Sequence, residues 1–193
     1  MRESYQKQLK LALFIVGLLF VIFLVFAFCY YQFFHHKEIE NEDCFVVKFK
    51  NSDILTIENK LPVSTTIGKE LNGNGTADGI HGYIEFSIEN KSNEKKKYVI
   101  LLTKQFMEKE IASSYVKFYL TDEKDTPFKG FEQNIVPSYY DLLSFSDRPG
   151  SRVLYTGLIE GNDVLNFKLR MWLDDSYALS SQKEYFSVDL DVQ

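Results

Sequence analysis

"VLNFKLRMWLDD" (Val164–Asp175) decides the fold. Read with a period of two, Leu165, Phe167, Leu169, Met171 and Leu173 share one face, and Asn166, Lys168, Arg170 and Trp172 share the other. Successive side chains of a strand point to opposite faces, whereas an amphipathic helix spaces its apolar residues three and four apart. The stretch is therefore a strand with one dry face and one wet one, which is the habit of antiparallel sheets. The same alternation recurs along the chain. "GYIEFSIEN" (82–90) sets Ile84, Phe86 and Ile88 against Tyr83, Glu85 and Ser87, and "YVKFYLTDE" (115–123) turns Val116, Phe118 and Leu120 inward. "KEYFSVDLDVQ" (183–193) buries Phe186, Val188, Leu190 and Val192 and exposes Tyr185, Ser187, Asp189 and Asp191.

Further strands follow from the turns between them. "CFVVKFK" (44–50) and "ILTIE" (54–58), joined by "NSD", read as a first antiparallel pair. "KKYVILLTK" (96–104), apolar on both faces in its middle, reads as a central strand, and "SRVLYTGLIEG" (151–161) as another. Turn chemistry separates these runs at 72–79, 90–96, 122–127, 147–150 and 160–163. "KQFMEKEIASSY" (104–115) reads as a loop with a short helical turn. Tyr139, Tyr140, Leu142 and Leu143 are too apolar for a wholly exposed loop and are expected to cap one end of the fold. About eight short strands with regular turns predict an all-β, immunoglobulin-like antiparallel β-sandwich over residues 44–193. The Cys…Trp…Cys pattern of true immunoglobulin domains is missing.

Ahead of this body, Leu11–Tyr31 is a run of 21 residues without a charge. As a helix it would span roughly 31 Å, close to a bilayer's hydrocarbon core. A secretory leader has a shorter apolar region and a small-residue cleavage site; here the run ends "VFAFCYYQFF". The sequence thus divides into a short cytoplasmic tail (1–10), a signal-anchor helix (11–34), a stalk (35–43) and an extracellular domain (44–193). Lys7 and Lys10, with Arg2, lie before the run, and acidic residues 38, 40, 42 and 43 lie after it, which by positive-inside bias predicts a single-pass plasma-membrane protein with its N-terminus in the cytoplasm. Tyr30, Tyr31, Phe33 and Phe34 read as an interfacial aromatic belt. The lipid bilayer is the first partner this predicts.

From residue 38 onward, 18 basic side chains face 26 acidic ones, which disfavours a nucleic-acid partner. Cys44 has no second cysteine beyond the run, so no disulfide framework holds the body. Catalytic signals are thin. His81 in "GIHGY" is the one histidine away from the run, and no G-x-S-x-G occurs. Zinc-type Cys/His clusters are missing, and Asp122–Asp125 or Asp174–Asp175 read as solvated turns rather than calcium loops. Sequons stand at Asn74 and Asn90. No cofactor is implied, and the chain reads as a noncatalytic protein.

The outward row Lys168, Arg170 and Trp172 is the candidate partner contact, since an aromatic on a solvent face can anchor a protein. For Trp172 itself, packing beneath the 174–182 loop is the favoured reading. The C-terminal strand reads as an edge strand, open to strand addition and self-association.

The stretch from Val153 to Val192, together with "PSYYDLL" (137–143) and "YVKFYLTDE", resembles a group of uncharacterised, membrane-anchored or exported β-sandwich proteins of low-GC Gram-positive bacteria, over about residues 80–193. More distantly it is similar to the camelysin and biofilm-fibre proteins. Taken as a whole, the sequence predicts a noncatalytic cell-envelope protein that displays its β-sandwich for protein–protein contact in scaffolding, surface assembly or adhesion, with an envelope or surface protein as partner. An extracellular ligand- or glycan-binding sensor module is the alternative.

Overall fold

A computed structural model describes residues 44–50, 52–58, 61–73, 82–132 and 136–193, together with Phe23. The tail, the apolar run and the stalk lie outside the described residues, Phe23 excepted, and so do Lys7, Lys10, Tyr30, Tyr31, Phe33, Phe34, His81 and Asn74. Among the described residues no helix is long and apolar enough to cross a membrane.

The body is all-β. Nine strands among the described residues form two antiparallel sheets: β1 (Phe45–Phe49), β2 (Ile54–Glu58), β3 (Gly82–Asn90), β4 (Lys96–Lys104), β5 (Val116–Asp122), β6 (Leu143–Ser144), β7 (Ser151–Ile159), β8 (Val164–Leu173) and β9 (Tyr185–Val192). One sheet runs β1-β3-β8-β5 and the other β2-β9-β4-β7-β6. A five-residue helix, α1 (Thr65–Lys69), and single 3-10 turns at Ser113–Tyr115 and Tyr139–Asp141 complete it.

The alternating residues fill the space between the sheets as their period requires. Ile84, Phe86, Ile88, Phe118, Leu120, Phe167 and Leu169 from the first sheet meet Leu55, Ile57, Tyr98, Ile100, Leu102, Phe186 and Val188 from the second. Aromatic rings lock the layers. Phe167 stacks on Phe86 with centroids 4.9 Å apart and receives the edge of Tyr98 at 5.9 Å from the opposite sheet. Phe118 and Tyr139 both reach Phe186, at 6.5 and 5.4 Å. Each such pair adds about 0.5–1.5 kcal/mol beyond the area it buries.

Three expectations need correction. Residues 44–50 and 54–58 do not pair with each other; β1 lies on β3 and β2 on β9, so the two strands belong to different sheets. Alternation says which face a strand buries, and is silent on which sheet it joins. The C-terminal strand is not an edge: β9 sits between β2 and β4. Its Ser187 is buried on the outer face, sharing hydrogen bonds with Thr56 (2.9 Å) and Gln105 (3.3 Å). The cap at 139–143 is half inserted: Tyr139 and Leu142 are buried, while Tyr140 and Leu143 stand exposed. The central place of the doubly apolar 96–104 strand agrees with its sequence, since β4 lies between β9 and β7. Leu101 faces away from the core and is buried nonetheless; Arg148 reaches from the β6–β7 hairpin across β4 to Asp191 of β9 at 2.6 Å.

Two polar clamps hold the ends. At one end the fully buried Asn90 donates from Nδ2 to the carbonyls of Glu94 (2.7 Å) and Glu160 (3.0 Å), and accepts at Oδ1 from the Ser92 N–H and hydroxyl. One side chain thereby ties the β3–β4 turn to the β7–β8 turn. Gly161 allows this approach, because a Cβ there would strike the backbone of Asn93. The amide of this sequon is therefore spent inside the fold. At the other end the Tyr139 hydroxyl donates toward the Gly150 and Leu102 carbonyls (3.1 and 3.3 Å) and accepts from the Lys104 N–H (3.1 Å). An Asp141–Ser138 capping box sets the turn that aims it.

Replacing Asn90 by Ala orphans several buried groups at once and is expected to cost about 2–4 kcal/mol, whereas Ser92→Ala costs about 1 kcal/mol or less. Urea unfolding followed by the single Trp172 reads the difference as a fall in midpoint at unchanged slope.

Candidate functional site

The candidate row lies on the outer face of the four-stranded sheet, along β8. Lys168 pairs with Glu85 of β3 and Thr121 of β5 across the ladder, and Arg170 with Tyr83 and Tyr119. The row does not form one open surface. Trp172 is 0% and Arg170 3% exposed; Lys168 keeps its ammonium at the margin. The segment 61–73 lies over Trp172. Val63 bridges in parallel to Asp174, and its N–H bonds the Leu173 carbonyl at 2.9 Å. The Ser64 hydroxyl then caps α1 by accepting from the Ile67 N–H at 3.5 Å. Gly68 lies flat on the indole, and a Cβ there would fall among its ring atoms. The indole N–H is buried with no hydrogen-bond partner among the described residues.

Arg170 is satisfied from three directions. Nε donates to the Leu71 carbonyl (2.5 Å), Nη1 to the Thr121 hydroxyl (2.9 Å) and Nη2 to Asp125 (2.5 Å). The guanidinium also lies over the rings of Tyr83 (5.6 Å) and Tyr119 (6.0 Å). Asp125 occupies the left-handed region at φ 63°, where Asn and Asp are the non-glycine residues best tolerated, and its second oxygen takes Lys168 at 3.0 Å. Burial raises the Asp125 carboxyl, but the hydrogen bonds from Lys168 and Arg170 outweigh it and hold the group below the usual carboxylate range. Burial, and then its donation to Glu85 at 2.8 Å, pushes the Tyr83 phenol well above its ordinary value. Lys50, bonded to Glu85 at 2.8 Å, and Tyr83 hold that carboxylate low.

The cover ends at Tyr83 and Arg170. Beyond it, the β1–β3 half of this face opens into a groove of about 370 Å³, lined by Lys48, Lys50, Glu85, Ser87, Asn166 and Lys168 among others. Lys48 bonds Glu89 at 3.0 Å, and Asn166 bonds Glu123 at 3.1 Å. Each ammonium has donors to spare, so the lining suits hydrogen-bonding ligands. The described residues hold no group of three His, Cys, Asp or Glu arranged for a metal. Asp122 accepts from the Lys124 and Thr126 N–H groups of its own turn, and Asp174 from Ser176.

Of the sequence candidates, Lys168 and Arg170 meet in one network, and Trp172 packs beside it under α1. Asp125, Thr121, Tyr83 and the Leu71 carbonyl were not expected there. An arginine flanked by Leu169 and Met171 and followed by Trp172 is the available signal, since a buried guanidinium demands partners. No family model matches the chain, and no curated protein or solved structure matches it.

Gly68→Ala is expected to cost about 1–3 kcal/mol through overpacking. In Trp172→Phe the same change should cost markedly less, a non-additivity that denaturant titration of the four variants measures. Asp125 also makes a pH prediction. Its folded carboxyl titrates below its unfolded value of about 4, so its stabilisation is complete above that pH and fades as pH falls through the folded value. Asp125→Asn should flatten the acid limb of a stability-against-pH curve and lower the plateau near neutrality.

Proposed function

We propose that this chain is a noncatalytic, single-pass surface protein. On this reading residues 11–34 anchor it in the plasma membrane, and an immunoglobulin-like sandwich stands outside the cell for protein–protein contact. The observation that carries the reading is the uncharged Leu11–Tyr31 run, basic before and acidic after, joined to an all-β body that is built without a disulfide. Large side chains held in the open, Phe106 at 90%, Leu143 at 76% and Tyr140 at 69%, offer the kind of apolar anchors that protein contacts use. Scaffolding, surface assembly and adhesion all fit such a display.

The groove beside Lys168 favours a second reading, an extracellular module for a polar or glycan ligand, because its volume falls within the range of small-molecule sites.

A protease added to intact cells should remove the 44–193 body and leave the tail protected. Protection of the body until lysis would overturn the proposal. Saturable glycan binding that Lys168→Ala abolishes would transfer it to the second reading.

A further inference from the structure

The two long sides of the sandwich are treated differently. The open edge of β5 is covered by its own chain. The Phe118 N–H bonds the Pro137 carbonyl (3.0 Å), the Phe128 N–H bonds the Leu120 carbonyl (3.2 Å), and Pro127 and Ser138 bridge to Thr121 and Lys117. Proline and irregular cover of this kind are how sheet edges are kept from pairing. β1, at the other edge of the same sheet, has no strand or bridge against its outer side among the described residues. It carries no proline, bulge or inward charge.

The ladder shows which groups are open. The Lys50 N–H bonds the Glu85 carbonyl of β3 at 2.9 Å. Antiparallel pairs alternate, so Lys48 and Val46 also direct their backbone to β3, and Phe45, Val47 and Phe49 direct theirs outward. The strand reads Phe-Val-Val-Lys-Phe, nearly the same in both directions. Laid antiparallel on itself about Val47, it places all three outward residues in hydrogen-bonded pairs: Phe45 on Phe49 of a second copy, Val47 on Val47, and Phe49 on Phe45. On the outer face Val46 meets Lys48, so no like charges face each other, and aromatic cross-strand pairs stand at both ends.

We infer that β1 is a self-association edge: two copies of this chain join through antiparallel β1 strands in the Val47-centred register, making one continuous eight-stranded sheet. The near-palindrome selects a second copy over an unrelated strand. The edge begins right after the stalk, so two chains held in one bilayer would meet at raised effective concentration. That last point alone rests on the anchor reading; the register does not.

The test uses the full-length protein in detergent micelles and in native membranes. In a Cys44→Ser background, Val47→Cys should give a disulfide-linked dimer on mild oxidation, and Leu158→Cys, on β7, should not. Val46→Lys sets lysine against Lys48 of the partner twice and should weaken dimerisation at least tenfold by analytical ultracentrifugation. Val47→Pro removes an outward N–H that β3 does not use and should do the same, with the melting transition showing that each variant is folded. A monomer at all concentrations, or a dimer indifferent to both Val46→Lys and Val47→Pro, would overturn the inference. Neither result bears on which side of the membrane the body occupies.

Discussion

A single buried guanidinium organises the outer face of the four-stranded sheet. Arg170 sits in the middle of β8, where its strand neighbours place it under cover, and a charge taken out of water needs hydrogen-bond acceptors and an opposite charge. The chain supplies them from three separate segments: the carbonyl of Leu71 after α1, the hydroxyl of Thr121 in β5, and the carboxylate of Asp125 in the following turn. Each of those segments is thereby fixed against β8. Once 61–73 is held at Leu71, Gly68 lies on Trp172, and β8 becomes a strand buried on both faces at its C-terminal half.

That cover sets what remains available. It stops at Tyr83 and Arg170, so among the described residues the β1–β3 side of the sheet is left with Lys48, Lys50 and Lys168 around a groove and with β1 as a margin that no strand covers. The two ends of the sandwich differ as well. The chain enters at Phe45, opposite Asn90, where two tight turns are clamped into one unit. The long connections 105–115, 136–150 and 174–184 gather at the end where β4 finishes and β5 and β9 begin, and Phe106 and Tyr140 project from them.

The strands and their inward faces were legible because alternation is a local signal: Ile84, Phe86 and Ile88, or Phe167 and Leu169, announce a buried face within a few residues. Sheet membership was not legible. Whether 54–58 turns back on 44–50 or joins the other sheet depends on which partner's apolar face it completes, and β9 supplies that from far along the sequence. The outward row on β8 looked solvated because period two assigns one face to water. It misled because a segment with no strand pattern of its own, 61–73, returns to cover it. In the sequence Asp125 is one acid in a hydrophilic turn. Only the antiparallel pairing of β5 with β8 brings that turn to Arg170. Asn90 looked like a turn residue for the same reason, since its partners at Glu160 and Ile159 are remote in sequence.

The central claim is that Arg170 and the 61–73 cover make β8 the most protected strand. Amide hydrogen exchange on the full-length protein tests it directly. The account predicts that β8 amides between Phe167 and Trp172 exchange only through global unfolding. It also predicts that the amides of Val63 and Gly68, bonded to Leu173 and Ser64, are protected. Exchange of Val63 and Gly68 at unstructured-chain rates, with β8 opening as readily as β1, would contradict it.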